Sequence, residues 1–514
     1  MKFEQLIQKL FNKSTKIFLG IFTVIFASIF TGILFAGFFD KNLLGYNSIW
    51  TVISTLTWLI MFILIFTAVF RMKQVSKARE IRTLIIIFVS VLIIQIIIGR
   101  LLETGPVYDF GAIFNGAGKW TVQGGISGGK DGEMLTLYFL RFYNNRGGLL
   151  FLHCIFNFVY LFGITDFYLV ATVLNALLID VAFLLVYLIC RKQFGVKLAK
   201  MALMLCLFCI PLYYYVPVFY TDPLSMVFIP LIYYLYLLGK DKPLKSKLLY
   251  YGLAGISCAV GSMIKMTVLI TLAAIIIDII LSCKTKRHIM TLLSPICISV
   301  IIIFLFNTLI NQYYYSSIID KEEEYRSRLP VSFWIMLGLN KERTGQYIGE
   351  DYNFIFEYEN IEKRDIEAKK EIKQRIENFG VVDYLEFLFK KACINFGQGE
   401  YGVYYFIKDN PKHSTVLHEF GTEEGKYFSA FRNITQGYHV LLLIFITGSA
   451  CLLLKRKDLK NISLIPYISI FGLFLFLSLW ETNPRLTLNY FPMYIIAAVP
   501  AVNYICGKTL KFTR

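Results

Sequence analysis

Four short motifs place charged side chains beside long apolar runs, where a charge is costly unless it pairs or binds a ligand. They are VYDFG with Asp109, FYTDPLS with Asp222, SMIKMT with Lys265, and WETNPRLTLNYFP with Glu481 and Arg485. If successive apolar runs cross a membrane in alternation, all four motifs fall on the same face. Carboxylates and cations that meet at this depth suit a reaction in which a hydroxyl loses its proton and a phosphate group leaves.

Transfer of a sugar from a lipid phosphate to a hydroxyl is a reaction of this kind, and it would give each of these residue types a role. Asp109 is the candidate base, because a carboxyl group near the bilayer surface can have a pKa high enough to accept the proton of a hydroxyl. Arg485 and Lys265 are the candidates for meeting the charge that develops on the leaving phosphate. Asp222 and Glu481 are expected to contact the substrate next to Arg485 and Lys265.

Every one of these residues also has a structural interpretation. Asp109 could order the glycine-rich segment that follows it, and Asp222 could cap a helix that starts at the next proline. Lys265 could snorkel from the turn between two spans. Glu481 and Arg485, four residues apart, could satisfy only each other.

Other kinds of chemistry have little support in the sequence. The five histidines show no metal-binding spacing, and we expect neither a metal nor a cofactor. No nucleophile elbow, Walker loop or dinucleotide fingerprint is present. Asp180 and Asp278 lie inside apolar runs, where a transporter would use them for coupling; we expect Asp180 to bond a neighbouring helix instead.

Long apolar runs are the elements that must position the charged motifs. Of 514 residues, 56% are hydrophobic, which is too many for one globular core, and many runs reach about 20 uncharged residues, enough to cross a bilayer. The sequence predicts twelve spans, with both termini cytoplasmic. They lie near residues 17–39, 48–70, 83–102, 166–190, 197–219, 223–239, 249–264, 266–282, 291–311, 436–455, 462–480 and 489–506.

The net charge of +17 sits in short loops between these spans, such as RKQFGVKLAK and KDKPLKSK. This is the pattern of cytoplasmic loops, so it predicts topology and no nucleic-acid partner. If residues 148–163 crossed the membrane, the basic loop RKQFGVKLAK would fall on the outer side. We therefore expect these residues to form an interfacial helix, flanked by Arg141.

Two large segments then fall on the extracytoplasmic side. The first, residues 103–147, is rich in glycine and is expected to be a loop. The second, residues 312–435, is expected to be an inserted, mostly helical domain with an amphipathic helix over residues 362–380 and with Trp334 as a possible stacking surface. The remaining units are a two-span extension (1–82), a transmembrane core (83–311) and a three-span segment (436–514).

These motifs and their order resemble the GT-C superfamily of membrane glycosyltransferases, especially the protein-mannosyltransferase-like and aminoarabinose-transferase-like bacterial members. VYDFG is similar to the family's acidic first loop, YTDPLS to its Tyr-x-Asp, SMIKMTVLI to its IKPT segment, and PRLTLNYFP to its late arginine loop. The resemblance implies a GT-C-like all-α polytopic fold and Asp109 as catalytic base. The sequence departs from the family's pattern in three ways: it has two extra N-terminal spans, its outer domain is inserted between spans, and no second acidic residue adjoins Asp109.

The resemblance also implies a polyprenyl-phosphate sugar as donor and a cell-envelope glycopolymer or glycolipid as acceptor. Lys265, Arg485, Asp222, Glu481, Arg141 and Trp334 are the expected substrate-binding residues. The chain would be a multi-pass protein of a bacterial plasma membrane, in contact with its lipids. Two alternatives are a transporter or flippase of an envelope component and a non-enzymatic envelope assembly protein.

Overall fold

The computed structural model describes residues 2–73, 76–282, 297, 300–305, 307–308, 320–409, 411–455 and 463–512, with the side chains of residues 2–16, 42, 282, 454–455 and 506–512 left aside. The regular elements of these ranges are helices. The α-helices considered below are, in chain order, α1 Lys2–Phe39, α2 Lys41–Leu44, α3 Ser48–Arg71, α4 Lys77–Leu101, α5 Tyr108–Gln123, α6 Gly129–Arg141, α7 Arg146–Tyr160, α8 Phe167–Phe194, α9 Val196–Leu207, α10 Ile210–Tyr214, α11 Thr221–Met226, α12 Phe228–Gly239, α13 Leu244–Ile264, α14 Leu269–Ser282, α15 Lys321–Ser327, α16 Val331–Gly338, α17 Gly349–Phe356, α18 Ile361–Glu377, α19 Val381–Gly397, α20 Tyr404–Ile407, α21 Val416–Gly421, α22 Phe428–Lys455, α23 Ile465–Leu479 and α24 Phe491–Phe512.

Eight helical stretches in these ranges are long and apolar enough to cross a membrane. Two shorter apolar helices, Met266–Leu281 and Ile465–Leu479, coincide with two more of the predicted spans. The prediction of an all-α polytopic membrane protein is therefore confirmed. The eight longer stretches are Ile17–Phe39, Ser48–Arg71, Lys77–Leu101, Phe167–Phe194, Thr221–Gly239, Leu244–Ile264, Phe428–Leu453 and Pro484–Ile505.

The remaining two predicted spans have different outcomes. Most of 291–311 lies outside the described residues. The span predicted at 197–219 is not one helix, because α9 ends at Leu207 and the chain restarts as the short α10 with Pro211 in its first turn. Proline has no N–H to continue the preceding helix and its ring blocks the turn before it. Asn175 of α8 satisfies the irregular backbone that follows, since its side-chain amide donates to the carbonyls of residues 215, 216 and 218.

The spans divide into a buried centre and an exposed rim. In the stretches Phe428–Leu453 and Pro484–Ile505, 78% of the most apolar 18 residues are buried, whereas in Lys77–Leu101 only 11% are. The stretches Ile17–Phe39 and Ser48–Arg71 are similarly open, at 28% and 22%. Because apolar side chains left open by the protein must meet lipid, the first three spans form a lipid-facing side.

The basic loops gather at one end of the bundle. Arg191, at the end of α8, pairs with Glu80 at the start of α4, with 3.3 Å between Nη2 and Oε2. Lys197 donates to the carbonyl of Phe70 at 2.7 Å, and Lys240 pairs with Asp278 at 3.3 Å. Since α4 starts at this end and α8 starts at the other, the motifs with Asp109 and Asp222 lie at the opposite end.

The glycine-rich segment 103–147 is not the loop that we expected. It forms α5 and α6, which pack with α7, the helix that occupies most of the predicted interfacial run. Its glycines allow close helix packing. The ring of Phe139 and the side chain of Leu149 lie directly against Gly116, and Gly147 lies against the backbone carbonyl of Met263, leaving no room for a side chain.

The inserted segment has two parts. Its first part has a small core of its own around Leu329, Phe333 and Ile355, and the predicted amphipathic helix is α18, capped by Asn360. The second part joins the main core, where Phe396 of α19 packs edge-on against Phe30 of α1 at 5.8 Å between ring centres. The segment thus reaches into the bundle at the end that carries the charged motifs.

Candidate active site

Asp222 is the centre of a buried ion cluster. It lies in the first turn of α11, its side chain is fully buried, and it accepts hydrogen bonds from Lys265 Nζ and, at 2.9 Å, from Arg485 Nη1. Lys265 directly follows α13, and Arg485 is the second residue of the 3₁₀ helix Pro484–Tyr490. The helix begins at Thr221 and has no side-chain cap hydrogen bond, so Asp222 does not cap a helix that starts at Pro223. The Lys265 side chain is only 10% exposed, so it does not snorkel to the surface.

Asp109 lies in the first turn of α5 and is held by two tyrosine hydroxyls. Tyr138 donates to one carboxylate oxygen and Tyr220 to the other, both at 2.8 Å. The amide of Asn145 in turn donates to the Tyr138 hydroxyl. Burial, and then the charge of Asp109, raise the pKa of Tyr138 well above its usual value, so this hydroxyl remains a donor to the carboxylate.

Tyr220 joins the two groups into one site. Its hydroxyl bonds Asp109, and the Arg485 guanidinium lies over its ring at 4.7 Å from the ring centre. Phe406, from the inserted segment, lies 5.9 Å from the same guanidinium. The predicted meeting of Asp109 with Arg485 and Lys265 is thus found in the structure.

The turn before Asp109 is strained. Tyr108 has φ of +52°, a conformation that costs a residue with a side chain about 1–3 kcal/mol. Its hydroxyl is bonded at 2.8 Å to Asp409 of the inserted segment. Gly111 lies against the carbonyl of Pro106, where a side chain would collide. The surrounding contacts fix the direction in which Asp109 points.

Glu481 lies on a loop that the inserted segment holds on both sides. The residues next to Glu481 in the chain make these hydrogen bonds. They fix the backbone of the loop and leave the Glu481 side chain without a part in them. They run from Lys391 Nζ to the Trp480 carbonyl at 2.8 Å, from the Thr482 N–H to the Gly345 carbonyl at 2.7 Å, and from the Asn483 N–H to Asn395 Oδ1 at 2.9 Å.

The Glu481 carboxyl group faces the other charged groups of the site. It is only 8% exposed, and within the described ranges it accepts no hydrogen bond from the protein. Burial raises its pKa above the usual value; Arg485 opposes this shift and the charge of Asp109 adds to it. Glu481 is therefore a second carboxyl whose charge interacts with that of Asp109, and Arg485 pairs with Asp222 rather than with Glu481.

Arg141 and Trp334 lie to the side of this cluster. Arg141 donates to the Tyr352 hydroxyl at 2.9 Å, and its guanidinium lies 4.5 Å from the ring centre of Phe356. Trp334 stacks on Trp480, the residue before Glu481, with 6.0 Å between ring centres. Arg141 thus packs within the inserted segment, while Trp334 reaches the edge of the site.

Sequence reasoning missed the neutral and supporting residues. Tyr138, Tyr220 and Lys391 were not expected at the site, although YTDPLS has Tyr220 two residues before Asp222. Lys391 lies in the apolar stretch KKACINFG, and a lysine in such a stretch is the signal that could have identified it. Burial, followed by the charges of Tyr352, Asp109 and Glu481, raises the pKa of Tyr347 above its usual value.

The carboxylates within the spans have ordinary partners. Gln95 donates to Asp180 at 3.1 Å, which is the interhelical bond expected for this residue. Asp278 accepts from Tyr236 at 2.8 Å and pairs with Lys240. Across the ranges that the structure describes, no three histidine, cysteine or acidic side chains are grouped closely enough to hold a metal ion.

The family model described as "conserved hypothetical integral membrane protein" matches residues 6–504. The chain belongs to this family. No curated protein matches it. A match among solved structures is ArnT from Cupriavidus metallidurans, crystallised with undecaprenyl phosphate; it is 11% identical, the match covers 82% of this chain and 77% of that one, and the TM-score is 0.34.

Proposed function

We propose that this integral membrane protein is a GT-C-type glycosyltransferase that moves a sugar from a polyprenyl-phosphate carrier to an acceptor hydroxyl. One observation carries the proposal. Tyr220 bonds the carboxylate of Asp109 while its ring supports Arg485, so a candidate base and two candidate phosphate ligands belong to one buried site. This combination of charges is what transfer from a lipid phosphate requires.

The donor phosphate would bind at Arg485 and Lys265. Both side chains are largely buried, with 13% and 10% exposed, and they share the single carboxylate of Asp222, so the three groups together carry one positive charge. A phosphodiester brings one negative charge, and a guanidinium can bind two of its oxygens at once. Asp222 keeps the two cations close together before the donor arrives.

Asp109 would take the proton of the acceptor. The acceptor oxygen forms a bond to the anomeric carbon, while the bond from that carbon to the phosphate oxygen breaks and its electron pair leaves with the lipid phosphate. The hydroxyl proton passes to the Asp109 carboxylate. Tyr138 and Tyr220 keep this carboxylate oriented, and Arg485 and Lys265 stabilise the phosphate as its charge increases.

Glu481, Trp334 and Arg141 would serve the acceptor. The unbonded carboxyl of Glu481 can hydrogen-bond sugar hydroxyls, and the stacked indoles of Trp334 and Trp480 offer an apolar face to a sugar ring. Arg141 is further out, among aromatic rings of the inserted segment. An envelope glycopolymer or glycolipid has the hydroxyls and ring faces that such groups bind.

The site would face the extracytoplasmic side of the plasma membrane. Basic loops mark the cytoplasmic side of membrane proteins, and here they gather at the end opposite to Asp109. With that orientation, the inserted segment and α5 to α7 are extracytoplasmic and both termini are cytoplasmic.

The test of this proposal is Asp109→Asn in purified protein, assayed in liposomes with radiolabelled polyprenyl-phosphate sugars and extracted envelope polymer. We expect sugar transfer to fall by about 100- to 10,000-fold, the usual contribution of a general base. The matched control is Asp131→Asn, an exposed acid in the first turn of α6, which should leave transfer unchanged. Full transfer by Asp109→Asn would exclude Asp109 as the base.

A further inference from the structure

The first half of α19 has a large apolar surface that the described part of the protein leaves mostly uncovered. Val381, Val382, Leu385 and Phe389 have 80%, 76%, 61% and 43% of their surface exposed. Scattered apolar residues are normal on a protein surface, but four large ones within nine residues of one helix form a patch that needs a partner.

The patch occupies one side of the helix. At about 100° per residue, the four apolar side chains fall within an arc of roughly 100°. The charged residues of the same half, Asp383, Glu386 and Lys390, fall on the next arc, and the buried Phe387 lies on the third. This division into a protein-facing, a charged and an apolar side is the pattern of a helix that lies in a membrane interface.

The position of α19 on α1 places the patch at membrane depth. The ring of Phe389 lies directly against Gly32, and Gly397, eight residues further along α19, lies against Leu44 of α2 and, slightly further away, Ile33 of α1. Because two points about 12 Å apart on α19 meet neighbouring residues of α1, α19 crosses the span rather than running along it. Gly32 is seven residues, or about 10 Å, inside the end of α1 at Phe39.

The patch also continues an existing lipid-facing surface. α1 is one of the open spans, and its side chains near the crossing, Phe35 and Phe39, are 60% and 64% exposed. We infer that residues 381–389 of α19 lie in the bilayer interface with Val381, Val382, Leu385 and Phe389 inserted among the lipid chains. The partner of this surface is the membrane itself, and the inserted segment is anchored to the membrane through it.

This anchoring has a structural consequence for the candidate site. The second half of α19 carries Lys391 and Asn395, which hold the loop of Glu481. One helix therefore contacts lipid with its first two turns and fixes part of the site with the next two. The inference itself rests on exposure and packing, and it does not depend on the proposed reaction.

The test uses a photoreactive residue in the full-length protein. p-Benzoylphenylalanine is introduced at Val382, and the protein is reconstituted into liposomes of phosphatidylcholine and phosphatidylglycerol that contain a trace of alkyne-tagged phosphatidylcholine. The control position is Lys373 of α18, whose side chain is 78% exposed. After irradiation, we expect at least tenfold more lipid attached to the protein with the label at Val382 than to that with the label at Lys373.

A second label at Leu385 keeps the test decisive if one variant fails to fold, which monodispersity in gel filtration will show. Lipid attached at both positions supports the inference. Equal labelling at Val382, Leu385 and Lys373 would overturn it, as would a covalent dimer at either α19 position, because the patch would then bind a second copy of the chain.

Discussion

Two buried ion clusters lie at the same end of the bundle, and they differ in how their cations are used. In the first, Asp222 is shared by Lys265 and Arg485. In the second, Glu400 pairs with Arg432 at 3.3 Å and accepts a hydrogen bond from the hydroxyl of Tyr46. Both acids are almost fully buried, with side chains 0% and 1% exposed.

The remaining donors of the two arginines have different partners. Arg432 also donates to the carbonyl of Leu44 at 2.8 Å, and its guanidinium lies over the ring of Tyr46 at 4.5 Å. Arg485, in the part of the chain that the structure describes, donates from its guanidinium only to Asp222. One cluster has a single cation that the protein's own groups surround, whereas the other has two cations and donors to spare.

This difference separates a structural brace from a binding site. A buried charge is expensive to desolvate, so a cluster that only supports the fold is expected to be balanced in charge and bonded within the protein. The Glu400 cluster meets this description, since it joins α2 and its loop to α22. The Asp222 cluster has two cations on one carboxylate, with the Asp109 carboxylate nearby and guanidinium donors of Arg485 left over, and these spare donors are what the proposed binding of an anion would use.

The largest expected effect is on stability, in the Glu400 cluster. Glu400→Gln leaves the Arg432 guanidinium without a charged partner, and breaking a buried pair in this way costs about 3–5 kcal/mol. We expect a clearly lower Tm of the detergent-solubilised protein, and unchanged sugar transfer per folded molecule at low temperature. A normal Tm would show that this cluster does not brace the fold.

The sequence was sufficient to predict the charged residues of the site but not their supports. Asp109, Asp222, Lys265, Glu481 and Arg485 could be found because a charge beside an apolar run is unusual and hydropathy orders the runs. Their mutual arrangement needed the fold. Nothing in the spacing of Glu481 and Arg485 shows that Arg485 turns to Asp222, 263 residues away.

The two errors in the fold both concern residues that interrupt helices, and they run in opposite directions. The richness in glycine of residues 103–147 predicts a loop, and each glycine also weakens a helix that contains it. In α5 and α7 the loss is offset by close packing, which only small residues such as Gly116 and Gly147 permit. The apolar content of residues 197–219 predicts one span, but the helix ends at Leu207 and Pro211 starts a new one.

The second expected effect is on activity, in the Asp222 cluster. Arg485→Lys keeps the charge but loses the planar fork that binds two phosphate oxygens, so transfer should fall about 100-fold. The KM for the polyprenyl-phosphate donor should rise more than the KM for the acceptor. Arg432→Lys is the matched control and should change transfer by less than about threefold. An equal rise in both KM values for Arg485→Lys would contradict a phosphate role.

The third expected effect concerns Lys391, which supports the site without belonging to either cluster. Lys391→Met removes the donor from the carbonyls of Gly338 and Trp480 and should cost about 1–3 kcal/mol. Burial lowers the pKa of Lys391 to about 7, so between pH 7 and about 10 the unfolded chain binds a proton that the folded protein lacks. Stability of the unsubstituted protein therefore rises with pH in this window.

The methionine introduced by Lys391→Met does not titrate, so the Tm difference between the two proteins should be larger at pH 9 than at pH 7. Both Tm values are measured in the same detergent. A difference that stays constant or shrinks would show that Lys391 has an ordinary pKa in the folded protein.

The smallest expected effect is the pH dependence of donor binding. Burial raises the pKa of Glu481, so this group is neutral below its raised pKa and negative above it. A phosphodiester keeps one negative charge throughout this range. As pH rises through the Glu481 pKa, the new charge should repel the donor and increase its KM by roughly fivefold, about 1 kcal/mol.

Glu481→Gln stays neutral at every pH and should show a donor KM that is flat over the same range, whereas Glu400→Gln should keep the dependence of the unsubstituted protein. The two variants thus test, in one measurement, whether an acid of each cluster affects donor binding. Only the carboxyl that faces the spare cations can alter donor binding when it ionises, because the carboxyl of Glu400 is already neutralised by Arg432. A donor KM that changes with pH to the same extent in both variants would show that ionisation of Glu481 does not cause the dependence.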